Sequence, residues 1–316
     1  MDLGMRVLYI SSMDSGAQGY LLAKAMRDHL GWDAKSLTMA ESYLGYKTDW
    51  VAGHVSDDEV IDFAKNTDFF IMQDQYLGGG ELRKYVNARN SCIHGLGSPL
   101  RAATGSNLVN QLRGHTLIVP PATDQTITPN LIATAFFESL IIDVDEIDTL
   151  TRGIPKNSEL TVCCAVTAKK QQFIEEAKKQ IDELSIKFEV VSGKSWRDTI
   201  AAKARAHIIL DPPSPYKAPG MNTAEGCYMD STPVGPYSSW YYSIHPELYD
   251  YTRSYNGDVR SNGSIKDALS EAITIEKNKT HEFTTSRKEC ILRYYKAEVV
   301  CKRWMHWINW ALKGRI

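Results

Sequence analysis

Short apolar stretches of strand length alternate along the chain with amphipathic stretches of helical spacing. RVLYISS (6–12), DAKSLTM (33–39), DFFIMQD (68–74), SCIHGLG (91–97) and TLIVPP (116–121) read as strands. Between the first two, GYLLAKAMRDHLG (19–31) brings Leu22, Ala25, Met26 and Leu30 onto one helical face and stops at Gly31. DDEVIDFAKN (57–66) predicts a shorter helix with acids in its first turn, and ELRKYVNAR (81–89) continues the rhythm. Buried strands alternating with helices predict a parallel sheet covered on both faces.

The rhythm then restarts. LIIDVDEIDTLTRGIPKNS (140–158) reads as a polar junction bearing Pro, Gly and Ser. LTVCCAV (160–166), FEVVSG (188–193) and HIILD (207–211) are further strands, with a helix over QQFIEEAKKQIDEL (171–184). The expected fold class is therefore α/β, with two Rossmann-like doubly wound domains over 1–150 and 151–296. The tail, 297–316, is an amphipathic helix with Val300, Trp304, Trp307, Ile308 and Ala311 on one face. That face either packs back on the first domain or, being Trp-bearing and basic, makes peripheral contact with a membrane surface.

At 316 residues the chain suits two domains. A net charge of −2 argues against coating nucleic acid, whose phosphates demand a strongly basic footprint. The six cysteines show no C-x-x-C pairing and read as reduced thiols of a cytoplasmic protein. No apolar run approaches the length of about 18 residues that a membrane span needs.

In doubly wound sheets ligands bind outside the carboxyl ends of the strands, so chemistry is expected in the loops that follow them. In SSMDSGAQGY (11–20), Gly16 and Gly19 would let the backbone approach a ligand, and the helix start would offer N–H groups to an anion. A tight turn explains the same glycines. IHGLGSPLR (93–101) sets His94 and Arg101 in a second loop of this kind. Lys169 and Lys170 stand at a helix entrance, where cations oppose the helix dipole; a phosphate would give them a reason, and solvation is the plainer one. In PGMNTAEGCYMDSTPVG (219–235), Gly220 turns the chain and Glu225 sits early in a short helix among small residues. The dipole alone favours an acid there. Aimed into a cleft, it would accept hydrogen bonds from sugar or ribose hydroxyls.

Two motifs are lookalikes. Ser192-Gly193-Lys194-Ser195 copies the end of a P-loop, but Phe188 stands where its first glycine belongs. Asp143-Val144-Asp145 copies the metal-binding D-x-D of other sugar transferases, and a metal-using transferase built on it stays an alternative.

Taken together, these stretches make the chain resemble the GT-B glycosyltransferases, of the broad family-four kind that uses nucleotide sugars such as UDP- and GDP-sugars. The likeness is diffuse and runs nearly end to end. RVLYISSMDSGAQGYLLAKAM resembles the family's opening strand, glycine-rich loop and helix. IHGLGSPLR is similar to its HGSDLR segment, FFESLIIDVDEI to its interdomain phrase, and ARAHIILDPPSPYKAPGMNTAEGCYMDSTPVG to its donor-sugar site. The resemblance implies two domains facing across a cleft. Glu225 would bind the nucleotide ribose, with Gly220, Met221, Asn222 and Thr223 near the donor and Lys169 or Lys170 at the diphosphate. Gly16 would approach donor or acceptor, and His94 and Arg101 would line the acceptor side. The first acid of the family's E-x7-E pair would fall at 217, which is Lys217, and the family's arginine before Lys169 is not evident.

The implied reaction is transfer of a sugar to a hydroxyl acceptor, retaining and without metal, the nucleoside diphosphate sugar being a co-substrate and no cofactor being required. Were it inverting, a base would be needed, with Asp14 and His94 as candidates. The acceptor is a glycan, a lipid-linked or small molecule, or a hydroxymethylated base in DNA reached by Arg293, Lys302, Arg303, Trp304 and Trp310. Lys217 also motivates a lapsed protein that binds sugar nucleotides without turnover.

Overall fold

The structure is a computed structural model that describes residues 4–73, 80–95, 116–119, 135–166, 170–213, 220–237, 242, 245–255 and 263–313. It divides into two compact units, Met1–Ile141 with Ala297–Ile316, and Ile142–Lys296.

The first unit is a parallel sheet of β1 (Arg6–Ser11), β2 (Asp33–Thr38), β3 (Trp50–Val51), β4 (Phe69–Gln73), β5 (Ser91–His94), β6 (Thr116–Val119) and β7 (Ala135–Phe137), in the order β3-β2-β1-β4-β5-β6-β7. Successive side chains of a strand point to opposite faces. Val7, Tyr9, Phe69, Ile71 and Cys92 therefore pack on α1 (Gln18–Leu30), whose Leu22, Ala25 and Met26 face them. Leu8, Ile10 and Phe70 pack the other way, with Val60 and Ala64 of α2 (Asp57–Lys65). Ser56 caps α2 by accepting the Glu59 N–H, and the acids of its first turn suit the dipole there.

The second unit holds α3 (Val144–Thr151), β8 (Thr161–Val166), α4 (Gln171–Asp182), β9 (Lys187–Ser192), α5 (Trp196–Arg205), β10 (Ile208–Leu210), α6 (Met221–Tyr228) and β11 (Thr232–Gly235). α7 (Leu248–Tyr251), β12 (Arg253–Ser254), α8 (Ile265–Asn278) and α9 (His281–Tyr295) complete it. Its sheet is parallel, in the order β12-β11-β10-β8-β9. The stretch expected to be a polar junction is thus partly helical, and the units part at 141/142. Asp143 caps α3, its Oδ1 accepting the Glu146 N–H at 3.1 Å. Ser195 of the P-loop lookalike likewise caps α5 by accepting the Asp198 N–H. At the opposite, amino-terminal edge of β11, the fully buried Arg287 binds Thr232 and Asp230, and Lys279 joins Asp230 to Glu276.

The C-terminal helix α10 (Ala297–Leu312) belongs to the first unit, where Val300, Trp304, Ile308 and Ala311 enter the core against α1. Arg303 Nε donates to the buried Glu138 at 2.8 Å just beyond β7. The apolar face offered above to a membrane surface, and the Trp304 offered to a duplex, are internal. The cations named with it are paired: Arg293 with Glu247, Lys302 with Glu298, Arg303 with Glu138. Among the described residues no helix is long and apolar enough to cross a membrane. All six cysteines are free and buried, and burial pushes Cys163 and Cys227 up to about 12, so they are inert thiols.

Candidate functional site

Each sheet reverses its strand order once, between β1 and β4 in the first unit and between β8 and β10 in the second. The crevice at that reversal is where doubly wound sheets bind ligands. Several of the residues singled out in the sequence lie on the loops leaving these strands.

In the first unit the β1–α1 loop closes on itself. Asp14, 4% exposed, accepts the N–H groups of Gly19 and Tyr20, both at 2.9 Å. The chain's own carboxylate thus takes the helix-start donors expected to be open to an anion. Burial raises the Asp14 pKa to about 6, while the Gly19, Tyr20 and Gln18 N–H groups pull it down. Gly16 adopts the left-handed conformation, φ 68°, that turns the chain under this cap. Gly19 serves packing: a Cβ there would lie 2.5 Å from the Tyr9 ring, so its bareness seats α1 on β1.

His94 is the last residue of β5, not a loop residue, and is 3% exposed. Its Nδ1 pairs with the Tyr9 hydroxyl at 2.9 Å, and its ring meets Trp304 edge-on at 4.9 Å. Burial pushes its pKa down to about 3, which keeps it neutral and makes it a feeble base. Its Nε2, and Oε1 of the register partner Gln73, find no hydrogen-bond partner among the described residues. Arg101 lies outside the described residues.

In the second unit the β8–α4 and β10–α6 loops meet. Lys170 Nζ donates to the Pro213 carbonyl at 2.7 Å, a bond that ties the two loops at the reversal point. Gly220 is the extended N-cap of α6, whose first turn, Met221, Asn222 and Thr223, carries no acid. Among the described residues, the first N–H of α6 bonded back along the helix is that of Ala224, to the Gly220 carbonyl. Thr223 donates its hydroxyl to the buried Asp211 at the end of β10, and Tyr237 reaches the same oxygen at 3.2 Å. Burial raises the Asp211 pKa, opposed by these hydroxyls and by Lys203. Lys169 and Lys217 lie outside the described residues.

Glu225 does not open onto a cleft. It is 1% exposed; Oε1 accepts the Trp196 indole N–H at 2.9 Å and Oε2 pairs with Lys203 Nζ at 2.5 Å. Lys203 also donates to the Asn222 side chain, so one buried network runs from Trp196 and Lys203 of α5 into the first turn of α6. The small neighbours of Glu225 serve packing. A Cβ on Gly226 would fall 2.7 Å from Ile209 Cγ1, so glycine lets α6 lie on β10. Gly226→Ala is expected to destabilise the second unit by about 1–3 kcal/mol, through overpacking, in a urea titration.

Sequence reading missed Lys203, Trp196, Asp211 and Tyr237 as site residues. Lys203 carried a signal: it follows Ile200 by one helical turn in an alanine-rich stretch, a lysine on the apolar face of α5. Asp143 and Asp145 carry no metal-ligand cluster with them, since no group of three His, Cys, Asp or Glu side chains fit to hold an ion occurs among the described residues.

No protein-family model matches the chain, and no curated protein matches its sequence. Solved structures do match. Anabaena Alr3699/HepE in complex with UDP aligns over 96% of this chain and 100% of its own, at 12% identity and a TM-score of 0.58. A glycosyltransferase from Rickettsia africae ESF-5 aligns over 99% and 100%, at 11% identity and 0.57. AviGT4, a glycosyltransferase involved in avilamycin A biosynthesis, aligns over 98% and 99%, at 10% and 0.57. A putative UDP-N-acetylglucosamine 2-epimerase from Listeria monocytogenes also aligns, over 99% and 98%, at 10% and 0.52.

Proposed function

We propose that this chain of GT-B fold is a glycosyltransferase that takes its sugar from a nucleoside diphosphate sugar. One observation carries the reading: at the strand-order reversal of the second unit, Lys170 is tied to the loop that delivers the acid-free first turn of α6. A diphosphate there would meet one ammonium and the N–H groups of Asn222 and Thr223, a charge-assisted set suited to a departing nucleoside diphosphate. The positive charge comes from the protein, so the reaction needs no divalent ion. Family resemblance favours retention of configuration, and the low basicity of His94 fits a reaction in which it takes no proton.

Glu225 acts from below this site, bracing α6 through Lys203. Ribose hydroxyls would reach its carboxylate only in place of the Trp196 N–H. UDP is the first nucleotide to test, because HepE was solved with UDP and with UDP-glucose.

Calorimetry should show UDP binding, weakened about tenfold or more by Lys170→Ala, the loss of one charge-assisted bond. With UDP-glucose or UDP-N-acetylglucosamine and a mixed acceptor set, chromatography should show UDP release matched by a glycosylated product, unchanged by EDTA. UDP binding without release would indicate a lapsed enzyme. Interconversion of UDP-N-acetylglucosamine at C2 without acceptor would indicate an epimerase, the activity for which the Listeria protein is named. Absence of binding by any nucleotide would refute the proposal.

A further inference from the structure

The first unit has a cavity of about 310 Å³ that the donor reading does not use. It opens at the carboxyl ends of β2 and β3, the side of a doubly wound sheet on which ligands bind. Its walls are Leu37, Met39, Ala52, Val60, Ile61 and Leu82. Leu37, Val60 and Leu82 belong to the core cluster on the α2 side of the sheet, so the floor is fixed by the fold. Small-molecule sites run from roughly 300 to 1,000 Å³, so this one takes a single ring with a short arm.

Among the described residues that line it, the two charged ones are acids, Asp57 and Glu81. Glu81 is matched by Lys84 at 2.7 Å. Asp57, the exposed first residue of α2, has no ion-pair or hydrogen-bond partner among the described residues. A neutral apolar guest would leave that carboxylate only its place in the α2 dipole, and an anionic guest would be repelled by it. A guest with an apolar ring and an ammonium group would satisfy walls and acid together.

We infer that this cavity is a binding site for a small amine-bearing aromatic or cyclic molecule, its ring against the apolar walls and its ammonium at Asp57. The inference stands on the cavity's own lining and is independent of the glycosyltransferase reading.

Three probes share one phenol ring and differ in charge: tyramine, tyrosol and 4-hydroxyphenylacetate. Calorimetry on the full chain should rank them in that order, with tyramine about two- to five-fold tighter than tyrosol, the range of a partly exposed ion pair. Asp57→Asn should bring tyramine level with tyrosol and leave tyrosol unchanged. Ala52→Phe, which fills the cavity, should weaken all three more than tenfold with an unchanged melting curve. No binding, equal binding of the three probes, or binding indifferent to Ala52→Phe would overturn the inference. UDP is titrated in parallel. UDP binding without probe selectivity defeats only the cavity, and probe selectivity without nucleotide binding defeats only the transferase reading.

Discussion

Lys203→Met should cost the second unit about 3–5 kcal/mol, because it leaves the Glu225 carboxylate buried without its cation. Both side chains are 2% exposed, so water cannot take the lysine's place. Asn222 loses the same donor, which loosens the first turn of α6 as well. For a unit of this size about 3–5 kcal/mol lowers the melting temperature by roughly 10 °C. The double variant Lys203→Met/Glu225→Met should regain most of the loss, since a buried pair replaced by apolar groups of similar volume is often close to neutral. Urea titrations of the single and double variants measure both. A single variant within about 1 kcal/mol of the parent would mean that Glu225 finds another cation. That would remove the brace from the account of the site.

Stability set by Asp14 should fall as pH rises from about 4 to about 6. The folded carboxyl is raised by burial from 3.8 to about 6, so in this window the folded chain holds a proton that the unfolded chain has released. The favourable contribution is complete below about pH 4 and is lost as pH climbs through 6. The interval corresponds to about 3 kcal/mol at roughly 1.4 kcal/mol per unit. Asp14→Asn removes this dependence but also surrenders part of the N–H capping, because the amide nitrogen accepts no N–H, whereas both oxygens of the carboxyl, neutral or charged, face the Gly19 and Tyr20 donors. The variant should therefore be the weaker protein at pH 4 and gain on the parent by about 3 kcal/mol by pH 7. Other carboxylates titrate in both proteins and cancel in the difference. Parallel curves of stability against pH would rule out a buried, proton-holding Asp14.

The candidate site shows where sequence reading holds and where it ends. The loops were placed well: 11–20 and the approach to α6 do leave strands at the two reversal points. Lys170 and Gly220 stand there because a doubly wound fold presents those loops whatever their sequence. The partners of the polar residues were not legible. Glu225 is matched by Lys203, 22 positions earlier, and His94 by Tyr9, 85 positions earlier. The packing role of the glycines was not legible for a related reason. Gly19, offered in the sequence either to a ligand or to a tight turn, makes room for Tyr9 of β1, and Gly226 likewise makes room for Ile209 of β10.

The alternation of strand-length apolar runs with helical spacing determined by itself that the chain is α/β, in two successive parallel-sheet units. It did so because burial periodicity is a local property, repeated within each ten or fifteen residues. Only the tertiary structure decided the strand order, the attachment of α10 to the first unit, and which acids are spent on the fold. Asp14 caps its own helix and Glu225 neutralises a buried lysine, while Asp57, beside a cavity, has no ion-pair partner among the described residues. Such pairings depend on contacts between distant segments, and those segments carry no mark of one another until the sheets have formed.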